Sequence, residues 1–225
     1  MIELWHCADA RSFRPLWMLE EMELPYTLHM LRFPPRYLEP GYTDRNPLGT
    51  VPWFEDRPEA APTDESGIQI LTESSGILHY LAERHGPTPL AVDSSEPDFG
   101  AYVNYLFQSD ATFTFPQTLV LRYRVLEKPE KRQPQVADDY ARWFTARMGW
   151  VEQHLEDGRK WLVAGRFTAA DIAVGYACLL ADTLGLLDGL GPNTHAWWGR
   201  CRARDGYRRA RAAQSTRENL PSGTP

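Results

Sequence analysis

The chain has 225 residues, with 24 Lys and Arg against 30 Asp and Glu and a net charge of −6 at pH 7. Its 43% hydrophobic and 24% charged content is that of an ordered globular chain, with length for one large domain or two small ones. The acidic balance argues against a nucleic-acid protein, and no apolar run reaches the length of a membrane span.

The opening Met1 to His6 lacks the basic-then-apolar pattern of a secretory signal and reads as a short core strand, Ile2 to His6. Ser12 to Met22 carries Phe13, Leu16, Trp17 and Leu19 in helical rhythm, with Glu20, Glu21 and Glu23 expected to face outward. Pro25 closes that helix, and Tyr26 to Leu31 alternates as a second strand. A β-α-β unit of this kind predicts a parallel pair. An irregular, proline-rich stretch runs from Arg32 to Gly49. Val51 to Glu55 and Gly67 to Leu71 follow as strands, expected to pair antiparallel across a long acidic connection, Asp56 to Ser66, read as an exposed loop. Ser74 or Ser75 opens a helix that continues to about Arg84.

Residues 1–85 thus predict an α/β domain, βαβ then ββα, with a mixed four-stranded sheet. Residues 86–97, with Gly86, Pro87, Pro89 and Pro97, read as a linker. From there to the end, 98–225, strand signals stop and an all-α domain is expected. Asp98 to Leu126 is helical with an aromatic face, and Pro116 should kink or interrupt it. Val136 to Glu156 is a second helix, and Ala169 to Ala181 is apolar on nearly every side, as a fully buried helix is. Thr194 to Arg211 is the last, and 215–225 reads as a loose tail. Six arginines between Arg200 and Arg211 are either a phosphate-binding patch or a solvated helix face; with no aromatic platform beside them, the second reading is preferred.

The three cysteines, Cys7, Cys178 and Cys201, are widely spaced and odd in number, so they predict neither a disulfide framework nor a metal site, and they fit a reducing, cytoplasmic compartment. On a strand His6 and Cys7 point to opposite faces, and that pair reads as structural.

Four segments carry chemistry. In Asn46 to Trp53, Pro52 stands at a strand entrance; if the Val51–Pro52 bond is cis, the Val51 N–H and C=O turn outward and can bind an extended peptide main chain. The competing reading is a plain turn. In Leu71 to Ile77 a strand runs into a helix through hydroxyl residues. The helix N-terminus with Ser74 suits a carboxylate, and Glu73 suits an ammonium group beside it, which together match an α-amino acid end. Simple capping by Thr72 or Ser74 is the alternative. In Ala10 to Arg14, between first strand and first helix, Ser12 can cap the helix or stabilise a ligand thiolate, and Arg11 or Arg14 can add charge unless Arg14 only pairs with a glutamate. In Phe167 to Ile172, Thr168 and Asp171 have capping-box spacing, and Phe167 and Ile172 stand as a hydrophobic staple.

In this order and at these spacings, the four segments resemble the cytosolic glutathione transferase superfamily, of its bacterial or fungal type, from Leu4 to about Ala212. Arg11 to Glu21 with Leu24-Pro25-Tyr26 looks like the family's first helix, and Asn46 to Pro52 like its cis-proline segment. Glu73-Ser74 looks like its γ-glutamyl clamp, and Trp197 with Arg204 to Ala210 like its closing helix. The resemblance implies a thioredoxin-like front domain, an all-helical back domain and usually a homodimer. It implies glutathione as co-substrate without a metal, held by Val51, Pro52, Glu73 and Ser74, with Arg11 nearby. It further implies a second site for a small apolar electrophile, facing the helical domain, for which Tyr102, Tyr105, Phe113 and Phe115 are candidates if they are not plain core.

The chain departs from the family pattern at three places. Where many relatives carry a serine stands Ala10, which has no donor; Ser12 is the nearest hydroxyl and the candidate catalytic residue, or else it only caps the helix. Arg11 falls where some relatives carry a cysteine. Thr50 replaces a frequent lysine beside the Val-Pro pair, leaving Arg36 or Arg45 to meet the glycyl carboxylate. The expectation is a glutathione transferase. The alternatives are a glutathione-binding regulatory protein of the same fold, or a glutathione-dependent peroxidase, dehalogenase or isomerase.

Overall fold

The computed structural model describes residues 1–57 and 67–215. The acidic loop expected at 56–66 and the tail expected at 215–225 therefore fall almost wholly outside the described residues. The chain divides into two compact units, Met1–Gly86 with 203–215, and Pro87–Arg202.

The first unit is a four-stranded mixed sheet in the order β2-β1-β3-β4. Strand β1 is Ile2–Cys7, β2 Tyr26–Leu31, β3 Trp53–Asp56 and β4 Gln69–Leu71. β1 and β2 run parallel from Ile2↔Tyr26 to Cys7↔Leu31, with helix α1, Phe13–Met22, as their crossover. β3 is antiparallel to β1 and to β4. This is the βαβ-ββα order expected of a thioredoxin-like sheet. Period-two alternation sends the side chains of β1 to two faces. Trp5 and Cys7 pack in one buried cluster with Tyr42 and Val51, while His6 is buried against Ser12.

Helix α1 buries every residue from Phe13 to Leu19. Each large apolar side chain among them contributes about 1.5–3 kcal/mol by leaving water. The helix ends at Glu23 in the left-handed region (φ 53°), and the Leu24 N–H closes onto Leu19 O at 3.1 Å before Pro25. Two short helices, α2 Pro35–Leu38 and α3 Tyr42–Arg45, occupy the proline-rich stretch left irregular in the sequence reading, and Phe33–Pro34 there is a cis peptide. Helix α4, Ser74–Arg84, follows β4 directly.

The second unit is helical: α5 Phe99–Gln108, α6 Phe115–Leu121, α7 Pro134–His154, α8 Ala169–Thr183 and α9 Pro192–Arg202. The interruption expected near Pro116 is a π turn, Ser109–Thr114, after which the proline sits in the first turn of α6. Helix α8 is buried on all sides from Ala169 to Ala181. Its N-terminus carries the expected capping box: the Thr168 hydroxyl accepts from the Ala170 N–H, and the Asp171 carboxylate accepts from the Thr168 N–H at 2.9 Å. Asp171 also accepts from Leu162 N–H at 3.0 Å and Trp197 Nε1–H at 2.8 Å, and burial pushes its carboxyl up to about 6. The Glu152 carboxylate on α7 caps α9, accepting from the N–H groups of Asn193 and Thr194. Residues read as a linker are built into this unit. Leu90 and Val92 are buried, Leu90 O accepts from the Ala169 N–H, and Arg166 donates to Pro89 O and Ala91 O.

The sequence predicts one last helix, 194–211; two are found. The chain is extended at Arg204 (φ −71°, ψ 143°), and helix α10, Asp205–Ala213, belongs to the first unit, where it packs on α1. Tyr207 sets its ring edge-on to Phe13 and Trp17, with centroids 5.6 and 5.0 Å away. Arg204 forks onto Glu21, which also accepts from Trp17 Nε1–H, and Arg209 reaches Glu20. Glu20 and Glu21 therefore do not simply face water: Glu21 is 5% exposed. From Arg204 on, the arginines meet carboxylates, with Arg208 on Asp205 and Arg211 on Asp9, whereas Arg200 donates to Lys160 O and Arg202 lies over the Trp198 ring. Gly206 allows the close approach, since a Cβ there would lie 2.5 Å from the Glu21 carboxyl carbon.

Candidate functional site

The segment around Pro52 is held by its own side chains. Asn46, buried, accepts from the Leu48 N–H through Oδ1 at 3.1 Å and donates through Nδ2 to Thr50 O at 2.7 Å. Tyr42 Oη–H donates to the same carbonyl at 2.6 Å. Gly49, at φ +61°, passes so close to Arg36 that an added Cβ would stand 2.8 Å from the Arg36 Cβ. The Val51–Pro52 bond is cis. The β1–β3 ladder ends at Trp5↔Trp53, so Val51 lies beyond it.

The register of β3 with β4 pairs Phe54 with Leu71 and Glu55 with Ile70. Because the pair is antiparallel, Val51-Pro52, just before β3, and the start of α4, just after β4, leave it at the same end. Glu73 is the N-cap residue of that helix and makes no capping hydrogen bond, and its side chain is exposed. The first backbone bond of α4 is Ile77 N–H to Glu73 O, so the N–H groups of Ser74, Ser75 and Gly76 precede the ladder. Ser74 is 2% exposed, and its Oγ accepts from the buried guanidinium of Arg14 at 2.9 Å. Arg14 thus brings its charge to the serine that opens α4.

The turn between β1 and α1 is tight, with Ala10 N–H donating to Cys7 O and Phe13 N–H to Ala10 O. Arg11 is half-buried. Ser12 is wholly buried and makes no cap bond to α1. Its Oγ lies 2.7 Å from His6 Nδ1 and accepts from the Cys7 N–H at 3.3 Å. His6 Nε2 lies 2.9 Å from Gln214 Oε1, an acceptor, so Nε2 carries the ring hydrogen and Nδ1 accepts the single hydrogen of Ser12. Burial lowers His6 to about 4, which keeps the ring neutral. Cys7 is buried with its thiol pushed up to about 12 by burial, so it is no nucleophile.

Of the two arginines weighed for a glycyl carboxylate, Arg45 pairs with Glu55 at 2.5 Å and stacks on the Trp5 ring, while Arg36 is exposed over Tyr37. Tyr102, Tyr105 and Phe113 are buried in the helical unit, as core residues are, and Phe115 is 47% exposed. The network of His6, Asp9 and Gln214 was missed in the sequence reading, because nothing local marks a glutamine just past the last helix as the partner of a turn near residue 9.

Residues 10–84 match the family model described as glutathione S-transferase, N-terminal domain. A curated relative, glutathione S-transferase GstB of Escherichia coli K12, is 27% identical over 88% of this chain and 91% of its own length. Glutathione S-transferase 3 of Schizosaccharomyces pombe is 30% identical over 50% of this chain, a match that spans only 42% of that protein. Among solved structures, a glutathione transferase homologue from Lodderomyces elongisporus, crystallised with two glutathione molecules per subunit, superposes with a TM-score of 0.80 at 18% identity, covering 94% of this chain and 98% of that one. At that identity the likeness is one of fold. The sheet order, the family model over residues 10–84 and relatives aligned across both units agree: the front unit is similar to a glutathione transferase N-terminal domain, and the chain as a whole is similar to glutathione transferases.

Proposed function

We propose that this chain binds glutathione along the main chain at Val51 and joins its sulfur to a small apolar electrophile. The observation that supports this most is that the cis Val51-Pro52 bond and the start of α4 at Ser74 stand at the same end of the antiparallel β3–β4 pair. In this reading the cysteinyl main chain pairs with Val51 as an added strand does. The γ-glutamyl carboxylate takes the Ser74 hydroxyl and the N–H groups that open α4, with the Arg14 charge behind them. Glu73, exposed at the N-cap position, meets the ammonium group.

The thiol then lies at the β1–α1 turn, where the positive end of a helix stabilises a thiolate. Each unit by which its pKa falls corresponds to about 1.4 kcal/mol. Ser12 has already given its hydrogen to His6, so the reading assigns thiolate stabilisation to main-chain N–H groups at Arg11–Ser12 and to the Arg11 cation. Orientation of the thiolate toward a bound electrophile supplies the rest of the acceleration. The same reading carries a cytoplasmic homodimer with glutathione as co-substrate and no metal.

Titration of the purified protein with glutathione, followed by tryptophan fluorescence, should saturate, and mixing with an aromatic electrophile should yield conjugate. An unchanged fluorescence signal across the titration would sink the reading. One observation favours a second reading, a glutathione binder with little transfer: Ala10 has no donor and Ser12 has spent its own. A thiolate absorbance band on mixing with glutathione separates the two. A panel of electrophiles, peroxides and halogenated substrates separates conjugation from other chemistry of the same thiolate.

A further inference from the structure

The β1–α1 turn is not held by its own residues alone. Asp9 stands at φ 55°, a left-handed conformation that aspartate adopts more readily than most non-glycine residues and that a neighbour here holds in place. The neighbour is Gln214, from the turn that follows α10. Its Oε1 accepts from the Asp9 N–H at 3.2 Å, and its Nε2 donates to Asp9 Oδ1 at 2.7 Å. The two bonds fix which end of the amide is oxygen, and the same oxygen accepts from His6 Nε2–H at 2.9 Å. Gln214 is 3% exposed and its bond to His6 is buried, while the Asp9 side chain at the other end is 35% exposed. Arg211, one helical turn earlier, pairs with the Asp9 carboxylate. A single side chain near the end of the chain thus grips the last part of β1 and the left-handed residue immediately before Ala10 and Arg11.

We propose that Gln214 is a positioning residue for the thiol end of the glutathione site: by clamping Asp9 in its left-handed conformation it sets the main chain of Ala10–Ser12 where a ligand sulfur is stabilised as thiolate. The inference rests on the glutathione reading above. Gln214 touches no part of the γ-glutamyl clamp at Ser74, so its loss separates two things a substrate needs. Affinity, set mostly at Val51 and Ser74, stays; thiolate formation falls.

The test compares wild type, Gln214→Ala, Asp9→Ala and Asp9→Asn with glutathione alone and with an aromatic electrophile. Gln214→Ala and Asp9→Ala should cut the thiolate absorbance of bound glutathione and kcat by roughly 10-fold near neutral pH, about one unit in thiol pKa, with the dissociation constant for glutathione changed less than 3-fold. Asp9→Asn should recover most of both, because asparagine tolerates the left-handed region and its Oδ1 still accepts from Gln214 Nε2. A folded Gln214→Ala protein with the wild-type thiolate band overturns the inference. So does a parallel loss of affinity and thiolate in both alanine variants, which marks general loosening. If Gln214→Ala does not fold, the Asp9 pair decides alone, and equal thiolate in Asp9→Ala and Asp9→Asn overturns the inference. Wild type that fails to bind glutathione refutes the parent reading and this inference together; wild type that binds and ionises it while the variants match it refutes only this one.

Discussion

Arg14 Nη1 lies 2.9 Å from Ser74 Oγ, and both side chains are buried, so the first helix delivers a cation to the N-terminus of the fourth. The hydroxyl accepts from arginine and keeps its own hydrogen to donate. A carboxylate arriving at α4 therefore meets a donor that is already aimed and polarised.

That relationship predicts the effect of Ser74→Ala. A hydrogen bond to a charged group is worth about 1.5–3 kcal/mol, so glutathione affinity by calorimetry should drop roughly 10- to 100-fold. Ser74→Thr, which keeps the hydroxyl, should retain most of it. An alanine variant that binds glutathione like wild type would remove the γ-glutamyl end from this helix.

Ser12→Ala should act on stability more than on chemistry. The hydroxyl serves His6 Nδ1 and the Cys7 N–H, and both lose a partner in a dry site. The expected cost is about 1–3 kcal/mol, read as a lower urea midpoint with unchanged slope. Conjugation at saturating glutathione should stay within about 3-fold of wild type. A 100-fold loss of kcat with an intact fold would return Ser12 to the reaction.

What was legible in the sequence was what sequence encodes locally. The β-α-β rhythm, the hairpin pair, the buried α8 and the Thr168–Asp171 box follow from periodicity and capping chemistry, each within a few residues of itself. The Val51-Pro52 and Glu73-Ser74 segments were visible as motifs, but their place at one end of the sheet follows from the antiparallel pairing of β3 with β4. Three features stayed hidden because they join distant parts of the chain. Glu21 looks like a solvent residue until Arg204 takes it. The arginines of 204–211 read as a solvated helix face until the acids of α1 and Asp9 are opposite them. Ser12 looks like a catalytic hydroxyl until His6, on the inward face of β1, takes its hydrogen.

Two buried groups should make stability respond to pH in opposite senses. His6 falls from 6.5 to about 4 through burial, so between those values the unfolded chain holds a proton the folded chain does not, and stability rises with pH. Asp171 rises from 3.8 to about 6 through burial, so over nearly the same window the folded chain holds the extra proton, and stability falls with pH. The two slopes largely cancel from about pH 4 to 6. Asp171→Asn removes one of them. Relative to wild type, its stability should gain about 1.4 kcal/mol per pH unit across that window, on top of a constant loss. Urea midpoints at closely spaced pH values check this; parallel profiles for the two proteins would contradict the buried, protonated Asp171.

The docking of α10 on α1 gives a non-additive prediction. A Cβ on Gly206 would sit 2.5 Å from the Glu21 carboxyl carbon, and Glu21 cannot easily yield because Trp17 and Arg204 hold it. Gly206→Ala alone should therefore destabilise by about 1–3 kcal/mol, as overpacking does, despite alanine's better helix propensity. Glu21→Ala alone should also destabilise, since it strips Arg204 and the Trp17 N–H of their acceptor. In the double variant the obstruction is gone, and the alanine at 206 should cost nothing further and recover up to about 1 kcal/mol through propensity. A double-mutant cycle on thermal or urea unfolding reads the coupling directly. Simple addition of the two single losses would mean that α10 does not sit against Glu21, and with it would go the anchor that brings Gln214 to the thiol end of the site.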